Sequence, residues 1–347
     1  MTVSQSAEAW QVPTRLLQDG GEGDLWIVGG SFTTHPPPAF ERLPGAFALP
    51  GLVDAHAHLS LSADHGTLDL PAIDERLEAW GRQGVLAVRD VGAPQSVTLK
   101  LRDDPTRPTL FAAGRWLAPK DRFFPSLHDP VEAVDLQAAA LAEVARGASW
   151  VKVIGDWSPE PNYDPALLRA VVDAVHAAGA RVAVHSQWET VGPIVRAGVD
   201  SVEHGSLLDE ETLRLMASRG VAWTPTLNAF NEPLPDDIPE RVREQRARWL
   251  DNYRAMLPRA SSLGVPLLAG TDTAGTIPQE VAHLIKFGVP PVAALAAASS
   301  RAREFLGLGS FDAGGPADVV TFAADPRNDP AVLAQPAAIV LRGRRIR

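Results

Sequence analysis

The chain has 347 residues, 45% of them apolar, and a formal net charge of −10. That length holds one large catalytic domain plus a small accessory unit, since a single α/β barrel takes about 250 residues. The acidic balance argues against a nucleic-acid binder that relies on phosphate neutralisation. The lack of cysteine excludes disulfides, thiolate ligands and a cysteine nucleophile.

The first stretch, MTVSQSAEAWQVPTRLLQDG, has no apolar core of signal-peptide length. No run approaches the roughly 18 apolar residues of a membrane span, so a cytoplasmic protein without membrane contact is expected. DLWIVGG and the Pro-rich HPPPAF follow, with short strands between Gly and Pro. The last forty residues have the same texture in FDAGGPADVVTFAAD and AAIVLRGRRIR. Residues 1–47 and 309–347 are therefore expected to form one small β unit around a central domain, residues 48–308.

The centre alternates. Apolar, β-branched runs appear at AFALPGLVDAHAH, GVLAVRDVG, PTLFAAG, SWVKVIGD, RVAVHS, GVDSVEHG, GVAWTPTL and GVPLLAGTD. Most of the gaps carry helical spacing, as in PAIDERLEAWGRQG, DPVEAVDLQAAALAEVARGA, DPALLRAVVDAVHAAGA and DEETLRLMASRG. Asp164 followed by Pro165 fits an N-cap with Pro at the first helical position. Eight buried strands alternating with helices predict an α/β (β/α)8 TIM barrel. An open doubly wound sheet is the alternative, but there is no Gly-rich dinucleotide fingerprint to support it.

His56 and His58 stand two apart in LVDAHAHLS. In a strand such residues share a face, as does Asp54, so two imidazoles can converge on one ion. Lys152 lies inside VKVIGD, His185 ends RVAVHS, His204 ends VDSVEHG and Asp272 ends PLLAGTD. In a barrel, strand C-termini form the active-site rim, so separate strands deliver all these groups to one place. Each alone reads as a satisfied core residue; all six together do not, because an unpartnered Lys and Asp cost several kcal/mol to bury. A Lys between two valines has a lowered pKa, and its neutral amine can take up carbon dioxide to give an anionic carbamate that bridges two cations. The plain alternative is an ion pair between Lys152 and Asp156 or another strand-end carboxylate.

The ordered set resembles the amidohydrolase superfamily over nearly the whole chain. PGLVDAHAH resembles its first-strand signature and GVLAVRDVG its second, while VEHGS and GTD resemble the sixth and eighth. EVAHLIKFGVPPVAALAAASSRAREFLGL is similar to its closing helices, and GGPADVVTF to its return into a small β-sandwich domain. The resemblance is nearest to the imidazolonepropionase-like and Xaa-Pro dipeptidase-like branch. It implies two divalent ions, by default Zn2+. His56, His58 and Asp272 would hold one ion, His185 and His204 the other, and carboxylated Lys152 would bridge them. It also implies hydrolysis of an amide, in a dipeptide or N-acyl amino acid, by a metal-bridged hydroxide. Asp272 would act as general base and acid, and His204 would steady the oxyanion. The runner-up is a mononuclear cyclic-amide hydrolase or deaminase; lactones, carbamates and phosphoesters are related substrates. A non-enzymatic binding protein is a remote reading, because no expected ligand is missing.

Nine Trp against two Tyr suggest the shape of the substrate. Trp116, Trp157, Trp188 and Trp223 fall at or near strand ends, where indoles build an apolar wall for a bulky group; packing between loops and helices is the equal alternative. Arg115 is placed to clamp a carboxylate, and His65 and His128 to touch substrate. Arg89 is expected to pair internally with Asp90. His35, His176 and His283 read as structural or exposed. Symmetric self-association is common in such enzymes, and a homo-oligomer is compatible with the sequence.

Overall fold

The structure is a computed structural model that describes residues 9–17, 21–62, 66–101, 104–124, 127–235 and 237–347. Its centre is parallel sheet. Leu52–Ala57, Val85–Asp90 and Thr109–Ala112 form one three-stranded sheet. Trp116–Leu117, Trp150–Ile154, Arg181–Ser186, Ser201–His204 and Ala222–Thr224 form a five-stranded sheet in that order. Apart from exposed Arg181 and half-exposed Thr109 and Phe111, these strand residues are buried, as parallel strands covered on both faces require.

Single parallel bridges tie the two sheets together: Ala93 with Arg115, Trp223 with Leu267, and Ala57 with Asp272. The last two belong to GVPLLAGTD, which pairs with a neighbour on each side but forms no regular strand. Pro266 has no N–H to give to a ladder. At Gly270 the segment lies so close to the first strand that a Cβ would come within 2.5 Å of His56 Cβ. The segment is instead pinned by Ala55 N–H to Ala269 O (2.9 Å), Leu268 N–H to Trp223 O (2.9 Å) and Asp272 N–H to His56 O (2.7 Å).

The helices follow their sequence signals. Leu70–Arg82 begins after Asp69, whose side chain accepts from Ala72 N–H. Pro165–Ala177 begins after Asp164, which accepts from Ala166 N–H, with Pro165 at the first position as expected. Glu210–Arg219 is capped by Asp209 and ends on Gly220 at φ 69°. The stretch from Asp129 is helical only over Leu136–Ala145, after a 3-10 turn at Ala133–Asp135. A 24-residue helix, Glu240–Leu263, was not anticipated; it buries only Tyr253, Leu257 and Ala260, too thin an apolar stripe to stand out. Among the described residues, no helix is long and apolar enough to cross a membrane.

Both ends of the chain build two small sheets. One holds Ala9–Gln11, Trp26–Val28, Ser31–Thr33 and Glu41–Arg42. The other holds Arg15–Leu16, Gly21–Glu22, Phe47–Pro50, Val319–Phe322, Ala338–Leu341 and Arg344–Arg345. Alternation along the second sheet divides its side chains. Ala48, Val319, Ala338 and Val340 pack with Trp10, Ile27 and Phe32, whereas Leu49, Val320, Ile339 and Leu341 join the main core. AFALPGLVDAHAH thus divides at Gly51, with one half in each unit.

Candidate metal centre and active site

His56 lies in the first parallel strand with its ring fully buried. Its Nδ1 is 2.6 Å from Glu203 Oε2. A carboxylate can only accept, so Nδ1 carries the proton and Nε2 offers a lone pair. His58 repeats the logic with Nδ1 2.5 Å from Gly92 O. His204 Nδ1 is 2.7 Å from Thr226 Oγ1, whose own proton goes to Pro225 O at 2.8 Å. A carboxylate, a backbone carbonyl and a threonine hydroxyl thus fix three imidazoles in the tautomer that a metal ligand needs.

Three atoms of the cluster have no hydrogen-bond partner and are buried: His56 Nε2, His185 Nε2 and Lys152 Nζ. The rings crowd one another, with centroids 5.2 Å apart for His56 and His58, 5.1 Å for His56 and His204, and 4.6 Å for His185 and His204. Asp272 Oδ1 lies 3.2 Å from His58 Nε2 and 3.8 Å from His56 Nε2. One ligand atom from each of His56, His204 and Asp272 falls within 4.8 Å of the others. Lone pairs and a carboxylate facing each other at such range repel unless a positive charge sits among them. The donor set is nitrogen and oxygen, the set that first-row divalent cations take, so these residues fit such ions.

Burial sets the protonation states. It lowers His56 to about 4 and drives His185 and His204 well below the ordinary imidazole range, so these rings are neutral at pH 7. Burial also brings Lys152 down to about 8, with the charges of Glu203 and Asp272 offsetting it only in part; Asp156 makes no ion pair with it and is taken by Ser186 Oγ (2.5 Å), Gln187 N–H (2.9 Å) and Thr190. Burial works to raise Asp272, yet His58, His56 and His204 in their protonated forms outweigh it, so that Asp272 loses its proton below the carboxylate range, at acid pH where those rings carry charge. Burial lifts Asp54 to about 7; it ties Thr271 N–H (3.1 Å) and Thr271 Oγ1 (2.6 Å) to the first strand.

Backbone conformation aims two of the groups. His204 (φ 66°), Asp272 (φ 60°) and Thr226 (φ 52°) are in the left-handed region, which costs about 1–3 kcal/mol per non-Gly residue. Trp223 Nε1 (2.6 Å) and Tyr253 OH (3.1 Å) both donate to His204 O and hold the strained turn.

The cluster floors a cavity of about 140 Å³ whose lining includes His58, Lys152, His185, His204 and Asp272. Leu61, Trp116, Phe123, Phe124 and Trp157 form its walls, with Gln187 and Thr273. A larger apolar cavity of about 290 Å³, between Pro159 and Ile194, contains none of the cluster residues.

Of the anticipated substrate contacts, Trp116 and Trp157 line the cavity and the others do not. Trp188 packs on Trp249. Trp223 serves His204 from behind. Arg115 is held by Glu143 at 3.2 Å, and His128 faces the carbonyls of Phe124 and Pro119. His65 lies outside the described residues. His35 is exposed, His176 pairs with Asp200 at 2.8 Å and His283 is half-buried.

Arg89 corrects its expectation. It is an internal ion pair, but with Glu203 at 2.8 Å, while Asp90 receives Thr98 and Gly92 N–H. Arg89 also donates to Ala55 O, Ser201 Oγ (2.7 Å) and Thr224 Oγ1 (3.2 Å). Sequence reasoning missed Glu203, Phe123 and Phe124. The FF pair beside a rim loop was the only signal available for the last two.

Residues 47–346 match the model of the amidohydrolase family. The chain is 38% identical to an uncharacterised protein of Mycobacterium tuberculosis over 346 residues, covering 94% of this chain and 93% of that one. Among solved structures, a Xaa-Pro dipeptidase with bound methionine superposes at TM-score 0.81 with 22% identity, covering 97% of this chain and 99% of that one. Ochratoxinase of Aspergillus niger superposes at 0.82 with 19% identity, covering 99% and 96%. At such identities these two likenesses concern the fold. The chain belongs to the amidohydrolase family, hydrolases acting on carbon–nitrogen bonds.

Proposed function

We propose that the chain is a metal-dependent amide hydrolase with two divalent cations. His56, His58 and Asp272 would hold one, His185 and His204 the other, and Lys152, once carboxylated, would supply a ligand to both. The observation that carries this reading is the trio of buried, partnerless ligand atoms, His56 Nε2, His185 Nε2 and Lys152 Nζ. When bound, two such cations supply Lewis acidity toward a scissile carbonyl and an activated water, Zn2+ being the default. Asp272 would serve as the group that accepts a proton from the attacking water and passes it to the leaving nitrogen. His204 is a ligand and not an oxyanion donor, since its ring proton goes to Thr226. The aromatic walls exclude solvent and receive the apolar part of the substrate. The parallel strands and the bridged segment 267–272 support a closed (β/α)8 barrel that begins at Gly51 and not at residue 48, because Phe47–Pro50 pairs with the terminal strands, with the paired terminal sheets as a small β-sandwich.

The similar structures include a Xaa-Pro dipeptidase and ochratoxinase, which favours a dipeptide or N-acyl amino acid as substrate. A library of both, supplied with Zn2+, Mn2+ or Co2+, tests the reading; turnover is expected with wild type and lost with Asp272→Asn. A mononuclear cyclic-amide hydrolase would bind one ion tightly and keep activity in Lys152→Ala.

A further inference from the structure

The Phe123–Phe124 wall of the cavity is tied by hydrogen bonds to the strand end beneath it. Arg122, next to it, donates from Nε to Asn162 Oδ1 at 2.9 Å, and Asn162 Nδ2 returns a bond to Arg122 O at 2.9 Å. The same Nδ2 reaches Ile154 O at 2.9 Å, at the end of the strand that carries Lys152. Asn162 N–H is fixed to Gly155 O at 2.7 Å, and Arg122 Nη2 donates to Glu160 O at 2.8 Å. Neither Arg122 nor Asn162 lines the cavity. Their reciprocal pair clamps the wall to the strand beneath it.

The rings it holds are packed edge to face. Phe123 lies 4.9 Å from Trp116 and 5.0 Å from Trp157, and Phe124 lies 4.9 Å from Trp157. The aromatic wall touches the cluster itself: His58 is 5.4 Å from Trp116, and His185 is 5.6 Å from Phe123. Besides the five cluster residues, the lining carries no charge. A cavity of about 150 Å³ takes one benzene ring, and this one, aromatic-walled above the polar cluster, measures about 140 Å³.

We propose that this cavity is a one-ring specificity pocket, which seats a single uncharged ring or a branched alkyl group flanking the scissile amide and excludes fused bicyclic groups because the Arg122–Asn162 clamp fixes its wall. The proposal rests on the hydrolase reading for the reaction, and on the cavity alone for the size and charge of the group.

The first test is equilibrium binding of benzamide and 2-naphthamide to the metal-free protein, followed by the fluorescence of its tryptophans. Wild type should bind benzamide about ten- to a hundredfold more tightly. Asn162→Ala should erase or reverse that preference without altering the cavity lining, and Phe124→Leu, which keeps an apolar wall, should do the same if Asn162→Ala does not fold. Equal binding of the two amides by wild type, or an unchanged preference in a folded variant, overturns the proposal. The second test compares kcat/KM of the metal-loaded protein in matched series, benzoyl against naphthoyl on the acyl side and anilide against naphthylamide on the amine side. One series should discriminate by a similar factor. Equal rates in both overturn the pocket while leaving the hydrolase standing. The predicted binding preference without hydrolysis of any amide sinks the reaction and leaves the pocket.

Discussion

The strand mouth and the terminal sheets both bury polar atoms that lack a partner, but the atoms differ in kind. In the terminal sheets they include the indole nitrogens of Trp10 and Trp26. Each is neutral and sits on a large ring whose burial outweighs an unmade bond of about 1–3 kcal/mol. At the mouth they are an amine and two imidazole lone pairs, beside a carboxylate held in its charged form. An ammonium left alone there costs several kcal/mol, and lone pairs facing a carboxylate repel. The first arrangement is tolerated by packing. The second carries an electrostatic cost that bound cations relieve.

The sharpest way to break this contrast is to remove the proton carrier. Asp272→Asn should fold, with a circular dichroism spectrum matching wild type, and lose about a thousandfold in kcat in the metal-loaded amide assay. A loss of only a few fold would show that the carboxylate does no proton transfer.

Next in size is the support behind His56. Glu203→Gln removes the anion that fixes the Nδ1 proton of His56 and leaves Arg89 uncompensated. Metal affinity, measured by chelator competition, should drop about ten- to a hundredfold, while Glu203→Asp should recover part of it. Equal affinity in wild type and Glu203→Gln would mean that the buried pair is packing only.

The lysine gives a pH signature. In the metal-free protein Lys152 titrates at about 8, against 10.5 in the unfolded chain. Between those values the unfolded state binds more protons, so stability rises with pH across that window; below pH 8 the cost of the buried ammonium is fully present. The full span is worth about 3 kcal/mol. Urea midpoints in buffer free of carbon dioxide should show the rise in wild type, and its absence in Lys152→Met. The smallest effect belongs to the terminal sheets. Trp10→Phe removes the unpaired N–H and keeps a ring, and should change the unfolding free energy, read from urea titration, by about 1 kcal/mol or less in either direction.

Much of the mouth was legible from the sequence because strand periodicity and strand ends are local signals. His56 and His58 share a face through their spacing, and Lys152, His185, His204 and Asp272 each close or interrupt an apolar run. Glu203 escaped for a physical reason: alternation places it on the face opposite His204, but φ 66° at His204 ends the alternation and both side chains turn into the interior. Arg89 was paired with its neighbour Asp90, whereas its partner lies 114 residues away. The polar groups around Arg89 come from three other strand regions, which only the folded arrangement brings together. The wall at Phe123 and Phe124 depends on a clamp between two loops, and loops carry no periodicity to reveal it.

Cation placement tests the site most directly. Crystals of the wild-type protein soaked in Zn2+, measured at the zinc absorption edge, would show this by anomalous scattering. The account predicts two adjacent peaks, one among His56, His58 and Asp272 and one at His185 and His204, with Lys152 between them. Peaks elsewhere, or none among these six side chains, would contradict it.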